Sequence, residues 1–140
     1  MKRLALFAAV AFAAACGGSS TSPTTIATPT ATVVTETFTG TVQPLATNVH
    51  TFTVTTPGAL SVTMTAAGPP PTISMGLGIG NPNSSGGCIF LSGGTTTAIA
   101  SATTPQLSGN VTASGAYCVA IGDIGNAAGP IAYSITVSHT

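Results

Sequence analysis

The stretch "VHTFTVTTPGALSVTMTA", residues 49–66, decides the fold class, because apolar and polar residues alternate along it on both sides of a Pro-Gly pair. A period of two places successive side chains on opposite faces of a β-strand, so each half has one apolar face and one Thr/Ser face. The segment Thr56-Pro57-Gly58-Ala59 has Pro and Gly where a type II turn prefers them. The stretch therefore predicts a hairpin of two β-strands.

Outside this stretch the alternation of apolar and polar residues continues, and helical spacing is absent from residue 33 onward. About eight short strands without a helix predict an all-β fold, a small antiparallel β-sandwich in which two sheets cover each other's apolar faces. The further candidate strands are residues 35–42, 72–80, 88–91, 95–101, 105–112, 115–121 and 131–138.

The N-terminus has the pattern of an export signal. Lys2 and Arg3 precede the apolar run "LALFAAVAFAAA", residues 4–15. A run of about 12 residues is shorter than the roughly 20 that a membrane-spanning helix needs. Residues 1–15 are therefore predicted to be a removable signal helix of the lipoprotein type.

Cys16 follows this run directly, and Ala13-Ala14-Ala15-Cys16 resembles a bacterial lipobox. The resemblance predicts lipidation of Cys16 and anchoring to a membrane through an N-terminal lipid. Gly17, in place of Asp, resembles lipoproteins that are sent on to the outer membrane, so we expect a location in the cell envelope, at the outer membrane or cell surface. Ala13 stands where Leu is commonest, which leaves cleavage after an A-x-A site and secretion as the alternative.

Residues 16–33 are rich in Gly, Ser, Thr and Pro and have no periodicity. This composition predicts a disordered linker, a tether with an end-to-end distance of about 20 to 25 Å. The folded domain is then predicted to comprise residues 34–140.

Removal of the signal would leave a chain with very few charged side chains. Lys2 and Arg3 belong to the signal, so only Glu36 and Asp123 remain. A chain without Lys or Arg cannot neutralise phosphate groups. Nucleic acids and polybasic attraction to anionic lipids are therefore excluded as binding modes.

Cys88 and Cys118 form an even pair in a chain that is predicted to enter an oxidising compartment, which favours a disulfide between them. A redox pair and a metal site are the alternatives. Both are weak, because the two cysteines lie 30 positions apart without a third or fourth soft ligand nearby.

Catalytic groups are scarce: the candidates are His50, His139, Glu36 and Asp123. We expect His50 to be half-buried at the rim of the sandwich, His139 to lie beside the C-terminus, and Asp123 to stabilise a turn. The run "GLGIG", residues 76–80, precedes no helix and is expected to place its glycines on the outer face of a strand. The sequence predicts no enzyme activity, no cofactor and no metal site.

Aromatic residues offer little for carbohydrate stacking. Trp is absent, and Tyr117 and Tyr133 fall on the apolar faces of their strands. Both are expected to belong to the core.

Two longer segments, "ETFTGTVQPLATNVHTFTVTTPGALSVTMT" at 36–65 and "ASGAYCVAIGDIGNAAGPIAYSITVS" at 113–138, resemble the bacterial pre-peptidase C-terminal domain. The similarity covers about residues 35–138. It implies a β-sandwich of jelly-roll type and a non-catalytic accessory role beside exported enzymes; some members of that family bind insoluble polymers. Family members often carry acidic residues in the middle strand, whereas residues 73–88 contain none, so a calcium role is not carried over.

The combined expectation is a non-catalytic, lipid-anchored module of the bacterial cell envelope. It would serve surface attachment, or bind an exported protein or a polysaccharide as an accessory. The alternative is a purely structural envelope or secreted protein without a discrete ligand.

Overall fold

The computed structural model describes residues 30–140, which form eight β-strands and contain no helix that could cross a membrane. The predicted signal helix, Cys16 and residues 16–29 of the predicted tether lie outside the described residues. The strands are β1 (Val34–Val42), β2 (Thr47–Val54), β3 (Gly58–Gly68), β4 (Ser74–Pro82), β5 (Cys88–Ile99), β6 (Leu107–Val111), β7 (Gly115–Asp123) and β8 (Ile131–His139).

The strands form two four-stranded antiparallel sheets, with the order β1-β8-β3-β6 in the first sheet and β2-β7-β4-β5 in the second. Every connection crosses from one sheet to the other except the one between β4 and β5, which are neighbours in the second sheet, and these two strand orders are those of a jelly roll, the eight-stranded double Greek key. The predicted all-β sandwich of jelly-roll type is therefore confirmed.

The predicted hairpin around Pro57 is wrong, because β2 and β3 belong to opposite sheets. β2 pairs with β7, whereas β3 pairs with β8 and β6. The Thr56 backbone instead contacts the end of the chain: its N–H donates to the Thr140 carbonyl at 3.5 Å, and its carbonyl accepts from Thr140 Oγ1 at 3.0 Å. The Pro-Gly turn thus carries the chain across the sandwich, where the apolar faces of β2 and β3 meet through the core.

Residues 88–91 and 95–101, which the sequence separates, contribute to the single strand β5. Phe90 pairs with Gly80 and Thr95 pairs with Gly78, so residues 91–94 form an irregularity in the ladder. A bulge of this kind bends a strand without ending it.

The core lies between the inner faces of the two sheets, as the alternation requires. Tyr117 and Tyr133 are both buried in it, as predicted. Its largest fully buried side chains include Met64, Met75, Ile121, Ile131 and Ile135. All the strands described here and this core fall within residues 34–139.

The two ends of the sandwich differ in what they present. Val34 pairs with His139, so the chain enters β1 and leaves β8 at one end of the sandwich. Val42 pairs with Ile131 at the opposite end, the loop end, from which residues 43–46 and 124–130 project.

Candidate functional site

The outer face of the second sheet is built from very small residues. In β4 and β7, the bulky residues of the alternating pattern point into the core. Their neighbours therefore point outward. The outward positions are Gly76, Gly78 and Gly80 in β4 and Ala116, Cys118, Ala120 and Gly122 in β7.

The beginning of β5 rests on this face instead of simply extending the sheet. A Cβ atom added to Gly80 would overlap the Ile89 carbonyl oxygen and would lie 2.9 Å from Phe90 Cα. Only glycine leaves room for a backbone to pass so closely. The outward glycines of "GLGIG" thus serve close contact between strands, in agreement with the sequence interpretation.

The predicted disulfide between Cys88 and Cys118 is present, with 5.8 Å between the two Cα atoms. Cys88 begins β5, whereas Cys118 lies in β7 on the far side of β4 and is fully buried. The bridge therefore fastens the start of β5 across β4. Its role in the described structure is to fix this crossing.

Two apolar side chains stand on the glycine face. Phe90 lies over Gly78, where a Cβ would come within 2.7 Å of Phe90 Cδ1 and 2.8 Å of Cζ. Ile124 lies over Gly76, with its Cγ2 atom 3.2 Å from the position of a Cβ. Phe90 is 48% exposed and Ile124 is 51% exposed, so both side chains are available to a partner.

Between these side chains lies an open groove of about 230 Å³, here called the outer groove. Its floor consists of glycine and alanine, its walls are Phe90 and Ile124, and threonines line its margin. An exposed apolar patch with a polar rim is typical of a binding surface. The lining residues are Thr47, Gly76, Leu77, Gly78, Phe90, Thr95, Thr96, Ala120, Gly122, Asp123 and Ile124.

Asp123 closes one end of the outer groove but is occupied by backbone groups. Its Oδ2 atom accepts the Leu45 N–H at 2.8 Å, and its Oδ1 atom accepts the N–H groups of residues 125, 126 and 127, each at 3.1 Å. The Leu45 hydrogen bond, supported by those within the loop, lowers the pKa of the Asp123 carboxyl. The predicted turn is confirmed. The same bond holds Leu45 at a φ of 61°, a conformation uncommon outside glycine.

His50 is half-buried between the sheets, as predicted. Its ring stacks on Phe38 with 4.8 Å between centroids, and its Nε2 atom lies 2.7 Å from the Tyr133 hydroxyl. Burial lowers the pKa of His50 and favours the neutral ring.

His139 lies in the core and not merely beside the C-terminus, because only 2% of the residue is exposed. Its Nε2 atom donates to Glu36 Oε1 at 3.1 Å, and its ring lies 5.2 Å from that of Phe52. A ring so deeply buried cannot reach a dissolved substrate. The structure thus pairs Glu36 with His139, while His50 and Asp123 each have other partners.

The outer face of the first sheet carries a row of exposed threonines on β1. Thr35, Thr37, Thr39 and Thr41 are exposed on β1, and Thr35 Oγ1 lies 3.0 Å from Ser138 Oγ of β8. This face offers hydroxyl groups without an apolar wall, whereas the outer groove combines both.

Phe90 and Ile124 were missed by sequence reasoning. A non-alternating "CIFL" run reads as a buried strand, and the exposure of Phe90 depends on Gly78 and Gly80, which are distant in sequence. The detectable signal is three alternating glycines on a strand, which implies that another segment covers or crosses its outer face.

The chain matches no protein-family model and no curated protein.

Proposed function

We propose that this chain is a non-catalytic, lipid-anchored module of the bacterial cell envelope that attaches to a partner through the outer groove. The observation that carries the proposal is the exposure of Phe90 and Ile124 above a floor of glycine and alanine. A groove of this kind gives a partner apolar contact close to the sheet backbone. The accessory role implied by the resemblance to the pre-peptidase C-terminal domain supports the same proposal.

The ionisable side chains of the described domain support a role in binding and not in catalysis. His139 is buried beside Glu36, His50 is held between Phe38 and Tyr133, and the Asp123 oxygens accept backbone N–H groups. Each of these groups already has a structural partner, whereas general acid–base catalysis needs a group within reach of a substrate.

Attachment to the envelope tests the proposal. The disulfide-bonded domain, residues 30–140, would be titrated against isolated cell envelopes and the bound fraction measured. A binding module gives saturable attachment without the lipid, and Phe90→Ala weakens it. A purely structural protein gives no saturation, and that result would reject the proposal.

The lipid anchor has its own test, the intact mass of the mature protein from a membrane fraction. We expect a chain that begins at Cys16 and carries acyl groups, heavier after reduction by the hydrogens added to the Cys88–Cys118 bridge. A mature chain without lipid would support the secreted alternative, and an uncut chain would contradict both.

A further inference from the structure

We propose that the partner held by the outer groove is an uncharged polysaccharide, with the apolar face of one sugar ring against Phe90. This inference rests on the proposed function and names its ligand class. Three properties of the groove carry it: its charge, its floor and its size.

Charge argues for a neutral ligand. Residues 30–140 contain no Lys or Arg, so an anionic chain would find no formal cation to replace its counterions. The one carboxylate at the groove, Asp123, already accepts four backbone N–H groups. Neither a strongly anionic nor a strongly cationic ligand is matched by these groups.

The floor argues for a sugar over a peptide. It is the face of paired strands β4 and β7, whose backbone N–H and C=O groups bond within the sheet and not toward the groove. A peptide lying on such a floor would bury amide groups without partners, which is costly. A sugar ring can place its C–H face on Phe90 and turn its hydroxyl groups toward the margin and water.

The margin supplies matching groups. Thr47 places its Oγ1 atom over Gly122, 2.6 Å from where a Cβ would lie, and Thr95 lines the groove beside Phe90. Threonine hydroxyls both donate and accept, as sugar hydroxyls do. Hydrogen bonds at the margin would therefore fix the position of a ring that Phe90 holds by contact.

Size argues for a polymer. The groove volume of about 230 Å³ is below the range of about 300 to 1,000 Å³ that encloses a whole small-molecule ligand. One open groove of this size contacts a short part of a longer chain. Repetition along an insoluble polymer then offers many equivalent sites to a tethered module.

The test uses residues 30–140 with the disulfide intact and measures depletion from solution by insoluble polysaccharides. The uncharged probes are cellulose, chitin and β-1,3-glucan, and the comparators are insoluble calcium pectate and an immobilised apolar peptide. We expect saturable binding to at least one uncharged polysaccharide. Because no ion pair contributes, high salt should leave that binding unchanged.

Two variants assign the binding to the groove. Phe90→Ala should lower the affinity by about tenfold, the scale of one good aromatic contact. Its matched control is Ile89→Ala, which removes a side chain 62% exposed on the same strand and absent from the groove lining. Gly78→Ala should also weaken binding, since its methyl group would displace the Phe90 ring. Unchanged melting temperatures would show that these variants fold.

The outcomes separate this inference from the proposed function. Saturable, Phe90-dependent attachment to envelopes, without binding to any uncharged polysaccharide, overturns the inference and leaves the proposed function standing. Preference for pectate or for the apolar peptide also overturns the inference. Failure to attach to envelopes rejects the proposed function and, with it, the inference that rests on it.

Discussion

The Tyr133 hydroxyl lies 2.7 Å from His50 Nε2, although Tyr133 belongs to the first sheet and His50 to the second. Asn48 Nδ2 donates to the same hydroxyl at 3.0 Å. The hydroxyl can therefore donate a hydrogen bond to His50 Nε2 when the neutral ring carries its proton on Nδ1. Gly40 makes this arrangement possible, since a Cβ there would lie 2.6 Å from the Tyr133 oxygen. A polar contact between the sheets thus joins Tyr133 to a half-buried histidine.

Stability should fall as the solution is acidified below the ordinary pKa of histidine. Burial lowers the pKa of His50 in the folded state from its usual 6.5, so the unfolded chain binds protons first. The free energy of unfolding should decrease as the pH falls through 6.5 and level off below the folded-state pKa. Urea midpoints between about pH 8 and about pH 5 would show this.

The control for this pH effect is His50→Gln, which retains polar groups but does not titrate. Its urea midpoint should be less sensitive to pH than that of the wild type over the same interval. An identical pH dependence in both proteins would contradict the assignment to His50.

Tyr133→Phe should destabilise the domain by about 1 to 3 kcal/mol, because it removes the shared partner of His50 and Asn48. Tyr117→Phe is the matched control, since the Tyr117 hydroxyl donates only to the Ala113 carbonyl, four residues away. We expect a smaller loss for Tyr117→Phe in chemical denaturation. Equal losses of unfolding free energy in the two variants would contradict a larger contribution from the contact between the sheets.

Gly80→Ala should destabilise the domain by about 1 to 3 kcal/mol or more, because its methyl group would meet the β5 backbone at Ile89 and Phe90. Gly109→Ala provides the control, since no atom lies within 4 Å of the added Cβ. Its stability should remain within about 0.5 kcal/mol of the wild type. Thermal unfolding of the pair measures the difference, and similar melting temperatures would contradict the crossing of β5 over β4.

Asp123→Ala should loosen residues 124–130, because four backbone N–H groups lose their shared acceptor. Hydrogen exchange at Leu45, Gly125, Asn126 and Ala127 should accelerate. The effect should diminish in acid: the lowered pKa of Asp123 means that its contribution is present above pH 3.8 and lost as the pH falls through the folded-state value. Unchanged exchange at pH 7 would contradict this account.

Reduction of the Cys88–Cys118 bridge should cost about 3 to 4 kcal/mol of stability, the amount expected on chain-entropy grounds for a loop of this length. It should also weaken partner binding, because the bridge holds the segment that carries Phe90. Denaturation and binding measured with and without reductant would test both effects. Intact binding after reduction would show that Gly78 and Gly80 position Phe90 without the bridge.

The sequence predicts the strands well because alternation reports which face of a strand is buried. Alternation does not report which strand lies beside which, and the hairpin around Pro57 fails for that reason: Thr56 bonds to Thr140, 84 positions away. The disulfide can be predicted from the sequence because only two cysteines, Cys88 and Cys118, follow Cys16.

The groove and the buried histidine depend on contacts between distant segments. Phe90 is exposed because Gly78 and Gly80 admit the β5 backbone onto the sheet. The buried His139 ring donates a hydrogen bond to Glu36, which lies 103 positions earlier in the chain. Local periodicity carries no information about either contact.

The antiparallel pairing of β1 with β8 also determines how the domain would carry load. Nine residue pairs, from Val34 with His139 to Val42 with Ile131, join β1 to the rest of the sandwich. When force is applied to the N-terminus along β1 while the second sheet is held, it loads the hydrogen bonds between β1 and β8 in shear. These bonds then carry the force together and do not break one after another. Geometry of this kind resists mechanical force, a property that the proposed lipid-anchored attachment would require.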